Sequence, residues 1–452
     1  MPEDTVLNAS VTPTGWFWPG YRTVWRWHFY AGLVCIPFIL WLSVTGAIYL
    51  FRPQIDAFLD RPYDHLPATG AVAPARAQIA AARAAVPGSV LNAYQLPRDT
   101  TAAAQILVQR GDDLMRVYVD PRTCAVLSVQ NEAGRPMNVL FNLHGELLLG
   151  DRGSMIVELA ASWAIVMILT GLYLWWPRGA CSIVGVIVPR LRGGGRAFWR
   201  DLHAVTGVWV SIFTLFLLVS GLPWAASWGR MLMVAQSLAT GVSATALWPI
   251  GSPSETPTLT PHNGRPRSPE GSVDLDRMIA AVGSEHLPYP ALILPPSNVS
   301  KLWTATTKTE NRTLDVQLTL APDGRVIKRA TFAQESLVDR IVEIGVAAHE
   351  GQLFGWVNQA LGVFTAVGLI ALSISAVMMW WLRRPAGVLG APPSPSDVRL
   401  LPVLIAAIVV LGVLLPLLGL SLVGILLLER LLLRRIPATA TFLGLSTITN
   451  AR

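Results

Sequence analysis

The sequence predicts an integral membrane protein, mainly α, built as a duplicated transmembrane helix bundle. Four core spans and a C-terminal apolar segment are expected, with two small α+β domains on one side of the membrane. Three observations carry this. The 452 residues are 52% hydrophobic and only 14% charged. Several apolar runs reach the roughly 20 residues needed to cross a hydrocarbon core. The first half of the chain also recurs, in pattern, in the second.

So little charge does not suit the surface of a soluble protein of this size, and 17 tryptophans suit the aromatic belts at membrane interfaces. The net charge of +7 is therefore read through membrane topology, with membrane lipids as partners and no nucleic acid. Cys35, Cys124 and Cys181 are scattered, without CxxC or CxxCH, which argues against a disulfide framework, a zinc ribbon and c-type haem attachment.

The expected order begins with a cytoplasmic tail (1–26), a first span (27–51), an outer domain (52–153) and a second span (154–176). A basic loop (177–203), a third span (204–226), a second outer domain (227–353) and a fourth span (354–382) follow. A loop (383–400) then leads to an apolar stretch (401–433), interrupted by Pro416 and readable as one span or a hairpin, and to a tail (434–452). The first span lacks an A-x-A-like exit and reads as an uncleaved anchor. Arg178, Arg190, Arg192, Arg196 and Arg200 face a single acid, Asp201, in the basic loop. Arg383, Arg384 and Arg399 face Asp397 in the loop after span four, and Arg22 and Arg26 precede span one. By the positive-inside rule these segments, with the N-terminus, are cytoplasmic.

The duplication is specific. Displaced by 175 residues, His28 falls on His203, Gly32 on Gly207, Thr45 on Ser220 and Gly46 on Gly221. Displaced by 205, His144 falls on His349, Gly150 on Gly355, Trp175 and Trp176 on Trp380 and Trp381, and Arg178 on Arg383. Between the spans, "VYVDPRTCAVLSV" (117–129) and "LTLAPDGRVIKRA" (318–330) each read as strand, Pro-containing turn, strand. Each follows an alternating stretch, "AQILVQR" (104–110) or "KLWTATTK" (301–308). Both copies start on the same side, so they read as parallel repeats about an axis along the membrane normal.

Of seven histidines, four occupy duplicated positions at span ends, while His65, His262 and His286 lie in polar loops without counterparts. His28 and His203 belong to the cytoplasmic face, His144 and His349 to the outer face. Two-fold pseudosymmetry brings each set to the central axis, one pair per face. Facing imidazoles in an apolar bundle fit bis-histidine ligation of haem b best, two haems per chain. Gly32 and Gly207 lie one turn after His28 and His203, and Gly46 and Gly221, fourteen residues further, return close to that face. Small residues there leave room for a ring or a neighbouring helix. Arg22, Arg26 and Arg200 stand where they could neutralise haem propionates. A single interfacial histidine is more often an anchor, glycines in spans usually serve packing, and arginines at span ends are usually topology signals. The matched set of four lifts the ligand reading above these.

"WRWHFYAGLVCIPFILWLSVTGAIYLF", "NLHGELLLG", "LYLWWPR" and "WRDLHAVTGVW" resemble the PepSY-associated transmembrane family of bacterial inner-membrane proteins, over roughly residues 20–385. The family includes iron-regulated membrane proteins and ferric siderophore reductases. The resemblance implies PepSY-like periplasmic domains, two b-type haems, and His28, His144, His203 and His349 as axial ligands of the haem irons. Some relatives carry a fused flavodoxin-like reductase domain. This sequence has none, and no GxGxxG in a strand-turn-helix setting, so its donor is expected to be a separate cytoplasmic protein or a quinol. The expected acceptor is an oxidised periplasmic species, foremost a ferric siderophore, near Glu146, Asp151, Arg152 and Glu350; no catalytic residue is assigned. Two other readings stand beside this: a metal-binding permease using His144 with Glu146 and His349 with Glu350, and a non-redox regulatory membrane protein.

Overall fold

The structure is a computed structural model; it describes residues 20–176, 184–190, 195–241, 275–296, 302–392 and 402–445. Cys181, Arg178, Arg192, His262, Asp397 and Arg399 lie outside the described residues. The first half runs α1 (Tyr21–Tyr49), α2 (Arg52–Asp60), α3 (Ala75–Ala85), β1 (Val90–Gln95), β2 (Ala104–Arg110), β3 (Asp113–Val119), β4 (Val126–Asn131), α4 (Pro136–Glu146) and α5 (Asp151–Trp175). The second runs α6 (Gly195–Gly221), α7 (Ala226–Thr240), α8 (Leu275–Ser284), β5 (Ala291–Leu294), β6 (Trp303–Thr307), β7 (Val316–Leu320), β8 (Val326–Thr331), α9 (Leu337–His349) and α10 (Trp356–Trp381). The order of elements is the same in both. After them come α11 (Pro402–Leu414), α12 (Pro416–Leu428) and α13 (Pro437–Leu443).

Five helices among the described residues are long and apolar enough to cross a membrane: α1, α5, α6 with its continuation to Trp224, α10, and α12 continued to Leu433. These make the chain a multi-pass membrane protein. The first and third begin earlier than hydropathy places them, because helix continues into the polar flank. His28 is thus the eighth residue of α1 and His203 the ninth of α6, inside helices rather than at their starts. The C-terminal apolar stretch breaks at Leu415, whose extended ψ of 81° precedes Pro416. Gly412 and Gly419 then meet so closely that a Cβ on Gly419 would lie 2.6 Å from the Gly412 carbonyl oxygen. The chain therefore folds back at Pro416, and α11, at 13 residues, spans only about 20 Å.

The chain divides into two compact units. One comprises Met1–Phe38, Leu159–Ser211 and Ala371–Arg452; the other comprises Ile39–Glu158 and Ile212–Ile370. Each of the four long helices α1, α5, α6 and α10 contributes one stretch to each unit.

The first unit holds the C-terminal helices against α1 and α5. Trp163 Nε1 donates to Ser421 Oγ at 3.1 Å, and the Tyr30 hydroxyl donates to the Leu443 carbonyl. Trp175 and Trp380, matched positions, donate through Nε1 to the carbonyls of Val186 and Leu389 at 2.9 and 2.8 Å, while Trp176 and Trp381 face outward.

The second unit carries all eight strands in one antiparallel sheet of order β4-β3-β2-β1-β5-β6-β7-β8. Two separate small α+β domains were expected; instead β1 pairs with β5, Tyr94 opposite Ile293 and Gln95 opposite Leu292, so the two strand sets share one sheet. The physical reason is edge satisfaction: the first strand of each set would otherwise present unpaired backbone groups. α3 and α8 cover one face. Ala75, Ala82, Met278 and Val282 pack there on Ile106, Val108, Val117, Ile293, Leu318 and Leu320. In the first half, Arg116 binds both oxygens of Glu132, at 2.7 and 2.8 Å, and donates to Gln95 and Gln105. Its buried charge is thereby paired.

Candidate functional site

The structure brings the four matched histidines together as two pairs, one inside each unit. In the first unit the His28 and His203 ring centroids stand 6.4 Å apart with planes at 84°. In the second, His144 and His349 stand 6.5 Å apart at 79°. Two imidazoles bound through one ring nitrogen each on opposite sides of a shared metal, with bonds of about 2 Å and about 1.1 Å from nitrogen to centroid, would stand about 6.3 Å apart, and both pairs are compatible with that.

Different local structures deliver the rings. His28 and His203 project from long helices. His144 lies in the last turn of α4, and His349 is the last residue of α9. Left-handed residues then turn the chain into the next span: Leu147, Leu148 and Gly150 after α4, Gly351 and Gly355 after α9. The matched Gly150 and Gly355 have φ of 58° and 60°, a conformation that favours glycine, which accounts for the recurring "LLG" and "LFG".

Each ring is held through Nδ1 by a hydroxyl on another helix. Thr170 Oγ1 lies 3.0 Å from His28 Nδ1, and Thr45 Oγ1 lies 2.8 Å from His144 Nδ1. Ser220 Oγ lies 3.0 Å from His349 Nδ1; for His203, Ser375 Oγ at 3.2 Å is joined by the Leu372 carbonyl at 3.1 Å. Every one of these hydroxyls also lies near a carbonyl oxygen of its own helix. The distances are 2.7 Å from Thr170 to Val166, 2.8 Å from Thr45 to Trp41, 2.7 Å from Ser220 to Phe216 and 2.9 Å from Ser375 to Leu372. A carbonyl cannot donate, so the hydroxyl proton lies toward it, and the hydroxyl must accept from Nδ1–H. The tautomer follows: Nδ1 carries the hydrogen, and Nε2, at the far edge of each ring, keeps its lone pair for a metal.

Small residues make room for the rings. A Cβ on Gly46 would lie 3.0 Å from His144 Cε1, one on Gly171 3.2 Å from His28 Cε1, and one on Gly221 3.3 Å from His349 Cε1. Gly46 and Gly221 therefore serve the second unit's imidazoles, and do not line the face of His28 and His203 as the helical spacing suggested. Gly32 and Gly207 lie within the first unit, against Met167 Cε at 3.4 Å and Leu372 Cδ2 at 3.5 Å, as helix contacts.

Burial, then the facing His349 ring, holds His144 well below the ordinary imidazole range, at about 4. Burial alone lowers His349 to about 4. Both rings are thus neutral and available as ligands at neutral pH.

Among the arginines, Arg22 is exposed, while Arg26 is buried. Arg26 Nη1 donates to the Pro392 carbonyl at 2.5 Å, and its guanidinium lies over the Tyr30 ring. Its Nη2 has no hydrogen-bond partner among the described residues. Arg200 does not stand free for a propionate: with Arg190 it pairs with buried Asp201, at 3.0 and 2.5 Å. Asp151 pairs with Arg230 at 3.3 Å and Glu350 with Arg312 at 3.6 Å, Arg152 is exposed, and buried Glu146 has no hydrogen-bond partner at Oε1 among the described residues. His65 and His286 are exposed and belong to neither pair.

The residues fit a bis-imidazole haem. Paired rings at that separation, an oriented tautomer and glycine cradles are what such a group requires. Among the described residues no three His, Cys, Asp or Glu side chains gather as a metal cluster. Two nitrogens alone suit the axial positions of a planar macrocycle, where a tetrahedral zinc site would need more.

No curated protein matches the chain. The family model described as the PepSY-associated TM region matches residues 25–383, and the chain belongs to that family.

Proposed function

We propose that this protein is a haem b-containing inner-membrane oxidoreductase of bacteria that passes electrons across the membrane to a periplasmic acceptor, with ferric siderophore reduction as the reaction. The observation that carries this reading is the pair of facing, tautomer-fixed histidines in each unit. His28 and His203 would hold one haem, His144 and His349 the other. When bound, each haem supplies a one-electron carrier; the protein supplies position, ligation and local polarity.

The chain's own residues have defined tasks. Thr45, Thr170, Ser220 and Ser375 hold the Nδ1 hydrogens, so that Nε2 is the ligating atom. Gly46, Gly171 and Gly221 admit the ring edges. One electron delivered to a ferric siderophore gives Fe(II), which hard oxygen donors hold far less tightly, so the metal is released. The electron comes from a cytoplasmic or quinol donor.

The same reading includes the duplication as two PepSY-type repeats. It sets the N-terminus in the cytoplasm and the sheet-bearing domains in the periplasm, in keeping with the arginine-rich loops. Neither the permease nor the regulatory reading has a specific observation in its favour.

The test is a dithionite-reduced minus oxidised spectrum of the detergent-purified protein with a pyridine haemochrome count. Two b-type haems per chain are expected, one lost on His28→Ala and the other on His144→Ala. A well-folded preparation without haem would overturn the proposal. With haem in place, reoxidation of the reduced protein by a ferric siderophore tests the acceptor.

A further inference from the structure

Four dipeptides stand at equivalent places in the four long helices: Thr45-Gly46, Thr170-Gly171, Ser220-Gly221 and Ser375-Ala376. In each, the hydroxyl back-bonds to a carbonyl of its own helix and also meets a histidine Nδ1. Back-bonding alone is a common, purely local arrangement for Ser and Thr in apolar helices. It does not explain why four such hydroxyls meet four imidazoles. Each contact stays within one half of the chain, His28 with Thr170 and His144 with Thr45, then His203 with Ser375 and His349 with Ser220, whereas each histidine pair joins the two halves.

The chemical consequence follows from the direction of the bond. An Nδ1–H that donates to an oxygen pushes electron density into the ring and makes Nε2 a stronger donor to a metal. In apolar surroundings this bond is stronger than in water. A stronger axial donor favours the oxidised iron and lowers its reduction potential. The ring orientation is set by the same contact.

We infer that Thr45, Thr170, Ser220 and Ser375 are positioning residues that set the orientation and donor strength of the axial imidazoles, and so the reduction potential at each site. This rests on the haem-ligation reading above. The Leu372 carbonyl also shares the Nδ1 hydrogen of His203, at 3.1 Å, and the Met167 and Leu217 carbonyls stand likewise at His28 and His349; among the described residues His144 has no such carbonyl. His144 therefore depends most on its hydroxyl, that of Thr45.

The experiment is a spectroelectrochemical titration of the purified, haem-loaded full chain, with low-spin EPR spectra of the same samples. Thr170→Val and Thr45→Val keep shape and remove the acceptor. Each is expected to raise the midpoint potential of one haem and move its EPR signature, leaving the other haem unchanged. Thr→Ser at the same positions restores both readouts. Thr45→Val is expected to give the larger shift of the two. Haem lost in the Val variants but kept in the Ser variants also supports the role, as failed orientation. Two bound haems with unmoved potentials and EPR signals in both Val variants would overturn the inference while leaving ligation intact. A wild-type chain without haem fails the underlying reading instead, and the haemochrome count made first separates the two failures.

Discussion

The two histidine pairs match in ring geometry, at 6.4 and 6.5 Å, yet the chain builds them from unlike parts. In the first unit both histidines belong to long apolar helices, so their placement follows from helix packing alone. In the second, both belong to short helices outside the spans, and the glycine turns after α4 and α9 decide where each ring stands. Every ring has a hydroxyl at Nδ1, and only that of His203 is followed by alanine. Equal geometry reached by different routes points to the ring separation itself as what both arrangements satisfy.

The sharpest break in this equivalence should come at Gly46, the tightest cradle. Gly46→Leu drives a branched side chain into His144 Cε1, already 3.0 Å from an ideal Cβ. Overpacking of this kind costs about 1–3 kcal/mol. The expected result is loss of one haem of two, with the His28–His203 site spectroscopically intact; retention of both would show that His144 has room the geometry denies.

A milder change makes one site resemble another. Gly171→Ala gives His28 the alanine that Ser375-Ala376 has naturally, with a Cβ 3.2 Å from the ring. Both haems should be retained, with a small change confined to one absorption band. Haem loss there would mean that His28 is held more rigidly than its partner.

The next effect concerns only the unit that contains α9. Burial, then the charge of Glu335, holds Glu343 well above the carboxylate range, at about 8. A raised folded pKa gives stability fully present below the ordinary value of 4.5 and lost as pH rises toward about 8. Glu343→Gln should flatten that decline. Thermal unfolding followed by far-UV circular dichroism at about pH 5 and about pH 9 measures it, and an unchanged slope would remove Glu343 as the cause.

The smallest effect belongs to the first unit. Ser421→Ala removes the acceptor of Trp163 Nε1, a bond worth about 0.5–1.5 kcal/mol. Haem content should be unaffected and thermal stability slightly reduced. A loss of haem would tie the C-terminal helices to the site more closely than one indole contact implies.

Much of the architecture was legible in the linear sequence because its causes are local. Long apolar runs announce spans, and the two displacements of 175 and 205 residues align the histidines and the strands. β2 coincides with "AQILVQR", and β6 lies within "KLWTATTK". β1 and β5 are silent in the sequence because "VLNAYQ" and "ALIL" lack strict apolar/polar alternation, and the helices flanking the spans are too short to mark themselves by hydropathy. At the site, the signal that could have found the hydroxyls was present. Thr45 and Ser220 were already aligned, and the same Ser/Thr-then-small pattern stands in the other two spans.

By itself, then, the sequence determined the spans, the repeated order and the identity of the four histidines, since hydropathy and spacing act along the chain. Only the tertiary structure decided which hydroxyl meets which ring, across separations of 142, 99, 172 and 129 residues. It also decided that two strand sets become one sheet, that Arg26 is buried while Arg200 is spent on Asp201, and that the last apolar stretch folds back at Pro416. These outcomes rest on directional hydrogen bonds and close packing between distant segments, and neither leaves a periodic trace in the residues that make them.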